Sequence, residues 1–325
     1  MRLLHAMAGA KWGGAEGFVE RLVIALQRRG VEQRFLLRPE PERQARLAQF
    51  GVDMVELPFG GKFDTRTGTG FRQQIADYRP DLVISYMSRA ASYCPSRRKM
   101  GDGAPRVARL GGYYDLKYYE TMDHLVGNTP DLVAYFKEEG WPADRAHYLP
   151  NFVDTTLTVP LPWADYGVPE DVPLIVALGR LHPNKAFDTL LAAMVRLPGV
   201  WLWIAGDGPE RESLEAEAAR LGVADRPVVA AASEGPSQLI EHDRTGVLAA
   251  IDDPDSLATA LIYVLENADA ADRLAEAGMA RYEEDFGEEA VVGRYLELFG
   301  RLIAAGVDDG AVAPPRRRAS GALGR

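Results

Sequence analysis

Apolar runs of strand length alternate with segments whose apolar residues recur at helical spacing. RLLHAMA from Arg2 is followed by a helical pattern over 16–29, QRFLL from Gln33 by one over 41–50, and DMVELP from Asp53 by one over 69–78. DLVISYM from Asp81, RVARL from Arg106 and HLVGN from His124 read as further strands. Continuous apolar strands separated by helices predict a parallel sheet covered on both faces. TPDLVAYFKEEGW reads as a helix capped by Thr129 with Pro130 in its first turn. AHYLPNFVD from Ala146 supplies one more strand and leads out of a first domain, and Pro160, Pro162 and Pro169 punctuate the linker.

The pattern restarts at PLIVALGRL. A helix over 187–196, the strand VWLWIAG from Val200 and a helix over 210–221 follow, and then a strand PVVAAA from Pro227. A short helix over 236–242, a hairpin-like TGVLAAIDD and helical stretches over 256–267, 270–286 and 288–305 complete the reading. The fold class is therefore α/β, with two Rossmann-like doubly wound domains over 1–155 and 170–305, and a tail over 308–325 too poor in apolar residues to pack.

Composition narrows the picture. At 325 residues and 47% hydrophobic, the chain can bury two ordinary cores. Its apolar runs fall short of the roughly 20 residues that cross a bilayer, and the first residues read as a strand, not a secretory leader. The single cysteine, Cys94, allows no internal disulfide and no cysteine-built zinc site, which fits a reducing, cytoplasmic compartment. The net charge of −10 divides into +4 over 1–150 and −14 over 151–325. That asymmetry argues against a nucleic-acid binder with one basic face. It allows the first half to meet an anionic membrane at its inner face or an anionic acceptor, and equally an ordinary solvated surface.

Three glycine-containing phrases end strands and start helices. GGAE, with Gly13, Gly14 and Glu16, follows the first strand, at the carboxyl end of the sheet where open α/β sheets bind ligands. It reads either as a structural turn or as a loop letting backbone amides approach a diphosphate. In ALGRLHPNKAFDTLL, Arg180 follows the strand directly and Lys185 precedes the helix. Two cations there could neutralise the charge developing on a departing diphosphate. IAGDGPERESL carries Gly206 and Gly208 in a G-x-G turn, with Arg211 where a dinucleotide fingerprint has its third glycine. A nicotinamide dehydrogenase is disfavoured accordingly.

GGAE, NTPDL, YLPNFVD, GRL with Lys185 and FDTLL, IAGDGPE and SEGPSQLIEHDRTGVL together resemble the family-4 retaining glycosyltransferases of GT-B architecture, bacterial cell-envelope type. The resemblance implies transfer of a sugar, hexosyl-type, from a nucleotide-sugar donor to an envelope polysaccharide or lipid-linked acceptor held by the first domain. It implies Gly13, Gly14, Arg180, Lys185, Gly206 and Gly208 at the donor, Glu16 in the donor–acceptor crevice, and neither cofactor nor metal.

Two departures accompany it. The family carries two further strand-helix units before the strand matching PVVAAA, with a loop of two glutamates eight positions apart. Here GVADR runs straight into Pro227, and Glu234 and Glu241, seven apart, lie in the next motif. No catalytic residue is assigned. The family also often places a histidine at a strand end in the first domain, where this chain has RLGGYYDLKYYETMDH with Gly111 and Gly112; His124 and His5 read as core or edge histidines. The four tyrosines Tyr113, Tyr114, Tyr118 and Tyr119 read as packing more readily than as a sugar-stacking surface. Two outcomes stay open: an enzyme shortened in its second domain, or a non-catalytic GT-B remnant acting as a binding or interaction protein.

Overall fold

The computed structural model describes residues 1–11, 13–61, 63–152, 168–169, 171–223 and 240–305. They divide into two compact units, one from the described parts of 1–155 and 284–325, the other from those of 156–283.

The first unit is built on a parallel sheet of β1 (Arg2–Met7), β2 (Glu32–Leu37), β3 (Asp53–Glu56), β4 (Leu82–Tyr86), β5 (Arg106–Leu110), β6 (His124–Gly127) and β7 (Ala146–Tyr148). Their order is β3-β2-β1-β4-β5-β6-β7, with the reversal between β1 and β4. The helices are α1 (Gly14–Arg28), α2 (Pro41–Ala48), α3 (Thr65–Tyr78), α4 (Met87–Tyr93), α5 (Arg97–Met100) and α6 (Pro130–Glu138). Thr129 caps α6 as its position predicts, accepting from the Leu132 amide at 3.2 Å. The α4 and α5 turns between β4 and β5 are absent from the sequence reading, because MSRAASY has no polar face to mark a helix.

One sheet face buries Leu3, Met7, Ile84, Tyr86 and Val107 under α1, through Phe18, Val19, Leu22 and Leu26. The other buries Leu4, Ala6, Val83, Ala108 and Leu110 under Phe71, Ile75, Ala91 and Phe136.

The last helix, α11 below, corrects the domain reading that ended the second domain at 305. Glu288–Ala304 packs on the first unit, because its stripe Val291, Val292, Tyr295, Leu298 and Phe299 joins the core beneath α1. Arg29 bonds Glu289 across that contact. Periodicity identifies such a stripe but not the surface that receives it.

In the second unit β8 (Leu174–Leu178) pairs in parallel with β9 (Trp201–Ala205). Around them lie α7 (Phe187–Met194), α8 (Arg211–Arg220), α9 (Pro254–Glu266) and α10 (Ala268–Arg281), and α11 (Glu288–Ala304) then returns to the first unit. Leu202, Ile175, Ala177 and Ile204 face a core of Phe187, Leu190, Leu191, Met194 and Leu214. The alternate β8 positions, Val176 and Leu178, are 51% and 74% exposed, although parallel sheets ordinarily bury both faces.

The hairpin-like reading of TGVLAAIDD is corrected: residues 245–250 form no strand, only a bridge from His242 to Gly246. A loop replaces it, tied by the Leu248 amide to His242 Nδ1 at 3.0 Å. PVVAAA, most of the 236–242 helix, Glu234, Pro160, Pro162 and the 308–325 tail lie outside the described residues.

Candidate functional site

In the first unit the GGAE loop leaves the carboxyl end of β1, beside the β1/β4 reversal. Gly13 is extended, with φ 174°, and α1 begins at Gly14. The two glycines differ in purpose. A side chain at Gly14 would meet nothing within 4 Å, whereas a Cβ on Gly13 would lie 2.2 Å from Glu16 Oε2. Glu16 itself is 8% exposed, and its Oε1 accepts the Ala10 amide at 2.8 Å. The resemblance placed Glu16 in the crevice. Its carboxylate folds back into the loop and accepts the part-buried Ala10 amide.

At the end of β5, where a family histidine was sought, stands Arg109, which the sequence reading passed over. It is 1% exposed, donates from Nη2 to Asn151 Oδ1 and lies 4.5 Å over the Phe18 ring. A Cβ on Gly111 would come within 2.8 Å of Arg109 Nη1 and 3.8 Å of Ala15 Cβ, so the guanidinium fills the space behind the first turn of α1. Its signal was a charge inside an apolar strand.

His5 is the core histidine anticipated: fully buried, its Nδ1 is 2.9 Å from the Tyr86 hydroxyl, and burial lowers it to about 3. His124 opens β6, at the amino end of that strand, and lies 3.1 Å from His147 Nε2; burial lowers it to about 4. Asp115 caps a short turn and pairs with Lys117. The tyrosine run divides, Tyr119 lying in the core while Tyr113 and Tyr118 are 61% and 44% exposed.

In the second unit Arg180 and Lys185 flank the turn from β8 into α7. Arg180 is exposed and Lys185 half-buried, and neither has a carboxylate partner among the described residues. His182 shapes the turn by capping the 183–185 helical turn, and Ala186 takes a left-handed φ of 46° at the start of α7. Gly206 and Gly208 stand beside this loop at the end of β9. The Leu181 amide donates to Asp207 at 3.0 Å, and the Glu210 amide to Leu181 at 3.2 Å. A Cβ on Gly206 would lie 1.8 Å from the Gly179 carbonyl oxygen, and one on Gly208 2.3 Å from that of Leu181. The close approach these glycines permit is between the two strand-end loops. Together they form one continuous loop surface at the carboxyl ends of β8 and β9, with Arg180 and Lys185 on it.

Among the described residues no group of three histidine, cysteine or carboxylate side chains could hold a metal, and no helix is long and apolar enough to cross a membrane.

Strand order and the placing of the loops at the strand ends define a Rossmann-like α/β protein. Residues 13–151 match the glycosyl transferase 4-like domain, and 164–226 match glycosyl transferases group 1. The lipopolysaccharide core biosynthesis glycosyltransferase LpsD of Rhizobium meliloti is 30% identical over 348 positions, covering 94% of this chain and 99% of LpsD. LpsE of the same organism is 29% identical over 92% of this chain and 98% of its own length. The crystal structure of Anabaena Alr3699/HepE in complex with UDP superposes with TM-score 0.78 at 17% identity, covering 92% of this chain and all of that one. The chain belongs to this glycosyltransferase family.

Proposed function

We propose that this chain binds a nucleotide-sugar donor at the β8–α7 and β9–α8 loops, and that its family reaction is sugar transfer to an envelope polysaccharide or lipid-linked acceptor. In this reading 1–155 is the acceptor domain and 170–305, less its last helix, the donor domain. The observation that carries it is the pair Arg180 and Lys185, on the β8–α7 loop and without carboxylate partners among the described residues. Cations so placed stabilise negative charge growing on a leaving diphosphate. The full-length likeness to two lipopolysaccharide core glycosyltransferases, and a structural relative whose title names UDP, support the acceptor class and the donor type.

The second domain is short of what transfer needs. The group 1 match stops at 226, where the paired-glutamate segment was expected. The LpsD alignment runs over 348 positions while taking up 94% of 325 residues, so LpsD has some forty more residues along it. Leu178 of β8, 74% exposed among the described residues, suits that reading. Turnover by the chain as it stands is therefore slow: Arg180 and Lys185 act on the phosphates alone, and the sugar and ribose are left without their glutamates. Orientation can supply about 7–11 kcal/mol of a barrier.

Titration calorimetry with UDP, GDP and ADP tests the donor site, and no binding at millimolar concentration to any of them removes it. The same missing segment favours a second reading, a non-catalytic protein that retains a binding role. Measurable glycosyl transfer by the purified 325-residue chain would sink that alternative.

A further inference from the structure

Four tyrosines in seven residues follow β5, and the fold treats them differently. Tyr119 is fully buried and Leu116 nearly so, which pins the short turn Leu116–Tyr119 to the core of the first unit. Asp115 closes the start of that turn by accepting the Lys117 amide at 2.9 Å. The Tyr135 hydroxyl, on α6, donates to the Tyr114 carbonyl at 3.0 Å. Burial, and then the charges of Glu139 and Asp115, push that hydroxyl above its ordinary value, so it keeps the proton it donates. Tyr113 and Tyr118 are left 61% and 44% exposed. Each is nonetheless held: Tyr113 lies edge-on to Tyr135 with ring centres 5.3 Å apart, and the Lys117 ammonium, bonded to Asp115, sits 4.9 Å from the centre of the Tyr118 ring.

Lone exposed rings are ordinary on a protein surface. Here two stand on one loop whose turn is anchored in the core and whose backbone is tied down at Tyr114, so little freedom remains to be lost when something docks. Their combined exposure amounts to about one tyrosine's surface, and an aromatic side chain offers roughly 150–250 Å². A stable protein interface takes about 800 Å² from each partner, so the patch is small for a protein and of a size that a sugar ring covers. The loop's own charges, Asp115, Lys117 and Glu120, sum to −1, and Lys117 is already engaged by Asp115. An anionic lipid surface, or a phosphorylated or carboxylated sugar, is therefore repelled there. What suits the loop is an uncharged pyranose, whose C–H face stacks on the negative face of an aromatic ring.

We propose, resting on the acceptor reading above, that Tyr113 and Tyr118 form a stacking subsite of the first unit for a neutral pyranose ring of the acceptor saccharide. Asp115 and Lys117, which lie between them in the chain, supply the acceptor and donor groups for hydroxyls at the ring's edge. The loop thereby selects an uncharged ring, and it does so with side chains of the first unit alone.

The test is binding, by the full chain, of a deacylated lipopolysaccharide core oligosaccharide, with its phosphates kept and with them removed, followed by calorimetry and by saturation transfer to the sugar protons. The dephosphorylated form binds the parent at least as well as the phosphorylated one. Tyr118→Ala weakens it by about two- to tenfold, the range of one aromatic stacking contact, and Tyr113→Ala does the same. Tyr118→Phe keeps the ring and keeps the affinity. A merely structural role would instead lower the melting temperature with the affinity unchanged. Equal affinity in the parent and in the Tyr113→Ala/Tyr118→Ala double variant overturns the inference while leaving the acceptor reading intact, and Tyr118→Ala decides alone if the double variant does not fold. Binding of the phosphorylated form only also overturns it. So does a double variant that loses sedimentation with phosphatidylglycerol vesicles and nothing else, which would make the occupant a membrane. Failure of the parent to bind either oligosaccharide at millimolar concentration overturns the acceptor reading and this subsite with it, while titration with UDP reports on the donor reading separately.

Discussion

Replacing Gly206 with alanine tests whether the second-unit glycines serve the protein's own backbone. The added Cβ would sit 1.8 Å from the Gly179 carbonyl oxygen and 3.0 Å from its carbon, both main-chain atoms with no rotamer through which to withdraw. Relief requires the ends of β8 and β9 to part. The bonds at risk are Gly179 amide to Ala205 at 3.1 Å, Leu181 amide to Asp207 at 3.0 Å and Glu210 amide to Leu181 at 3.2 Å. At about 0.5–1.5 kcal/mol each, opening all three costs roughly 1.5–4.5 kcal/mol. Gly206 is itself exposed, so water can satisfy the freed groups, and the lower half of that range, about 1.5–3 kcal/mol, is expected. Urea unfolding followed by tryptophan fluorescence is a suitable assay because Trp201 and Trp203 lie on β9. A loss below about 0.5 kcal/mol, the level of an ordinary surface change, would refute the argument that these loops meet through Gly206.

Gly14→Ala should leave stability unchanged or raise it by up to about 1 kcal/mol, since alanine suits a helix better than glycine and meets nothing within 4 Å. Reduced UDP affinity with intact stability would then mark that space as occupied by ligand, while a fall in melting temperature would contradict it. Arg180→Ala should weaken nucleoside diphosphate binding by roughly 1.5–3 kcal/mol, and an unchanged calorimetric affinity would reassign Arg180 to the surface. Burial lowers His5 to about 3, His124 to about 4, and His147 below its ordinary value. The unfolded chain takes up these protons below about pH 6.5, so their stability contribution is complete above that pH and drains away as pH falls towards 4. Urea midpoints should therefore drop between pH 7.5 and 5, and equal midpoints would refute the assignment. Inserting a family-like segment between Arg226 and Pro227 should raise donor affinity and transfer rate together, and equal rates in both chains would remove the missing loop from catalysis.

How far the site was legible depended on the kind of signal. The sequence placed Arg180 at the carboxyl end of β8, because a cation immediately after an apolar strand must lie there whatever the packing around it, and Lys185 in the loop before α7. Both lie where it placed them, and their role at a donor is the proposal made above. Gly206 and Gly208 were singled out because glycine signals a close approach without saying of what, and the approach seen in the structure is to Gly179 and Leu181. For Glu16 the sequence indicated the loop but not the direction of the carboxylate, since a carboxylate in a first helical turn can face a ligand or fold back onto nearby amides; the structure adds its bond to the Ala10 amide. Arg109 was missed because its partner, Asn151, is 42 positions away.

By itself the sequence determined the alternation of strands and helices, the cap on α6, the charge asymmetry and the place of each glycine turn. Those depend on local spacing and backbone sterics, which act between near neighbours. Only the tertiary structure decided that Glu288–Ala304 rejoins the first unit, that Val176 and Leu178 lie bare on β8, and that the buried Arg109 stands behind the first turn of α1. Each of these is a matter of which surface an apolar stripe or a charge finally meets, and that choice is made by contacts between segments far apart in the chain.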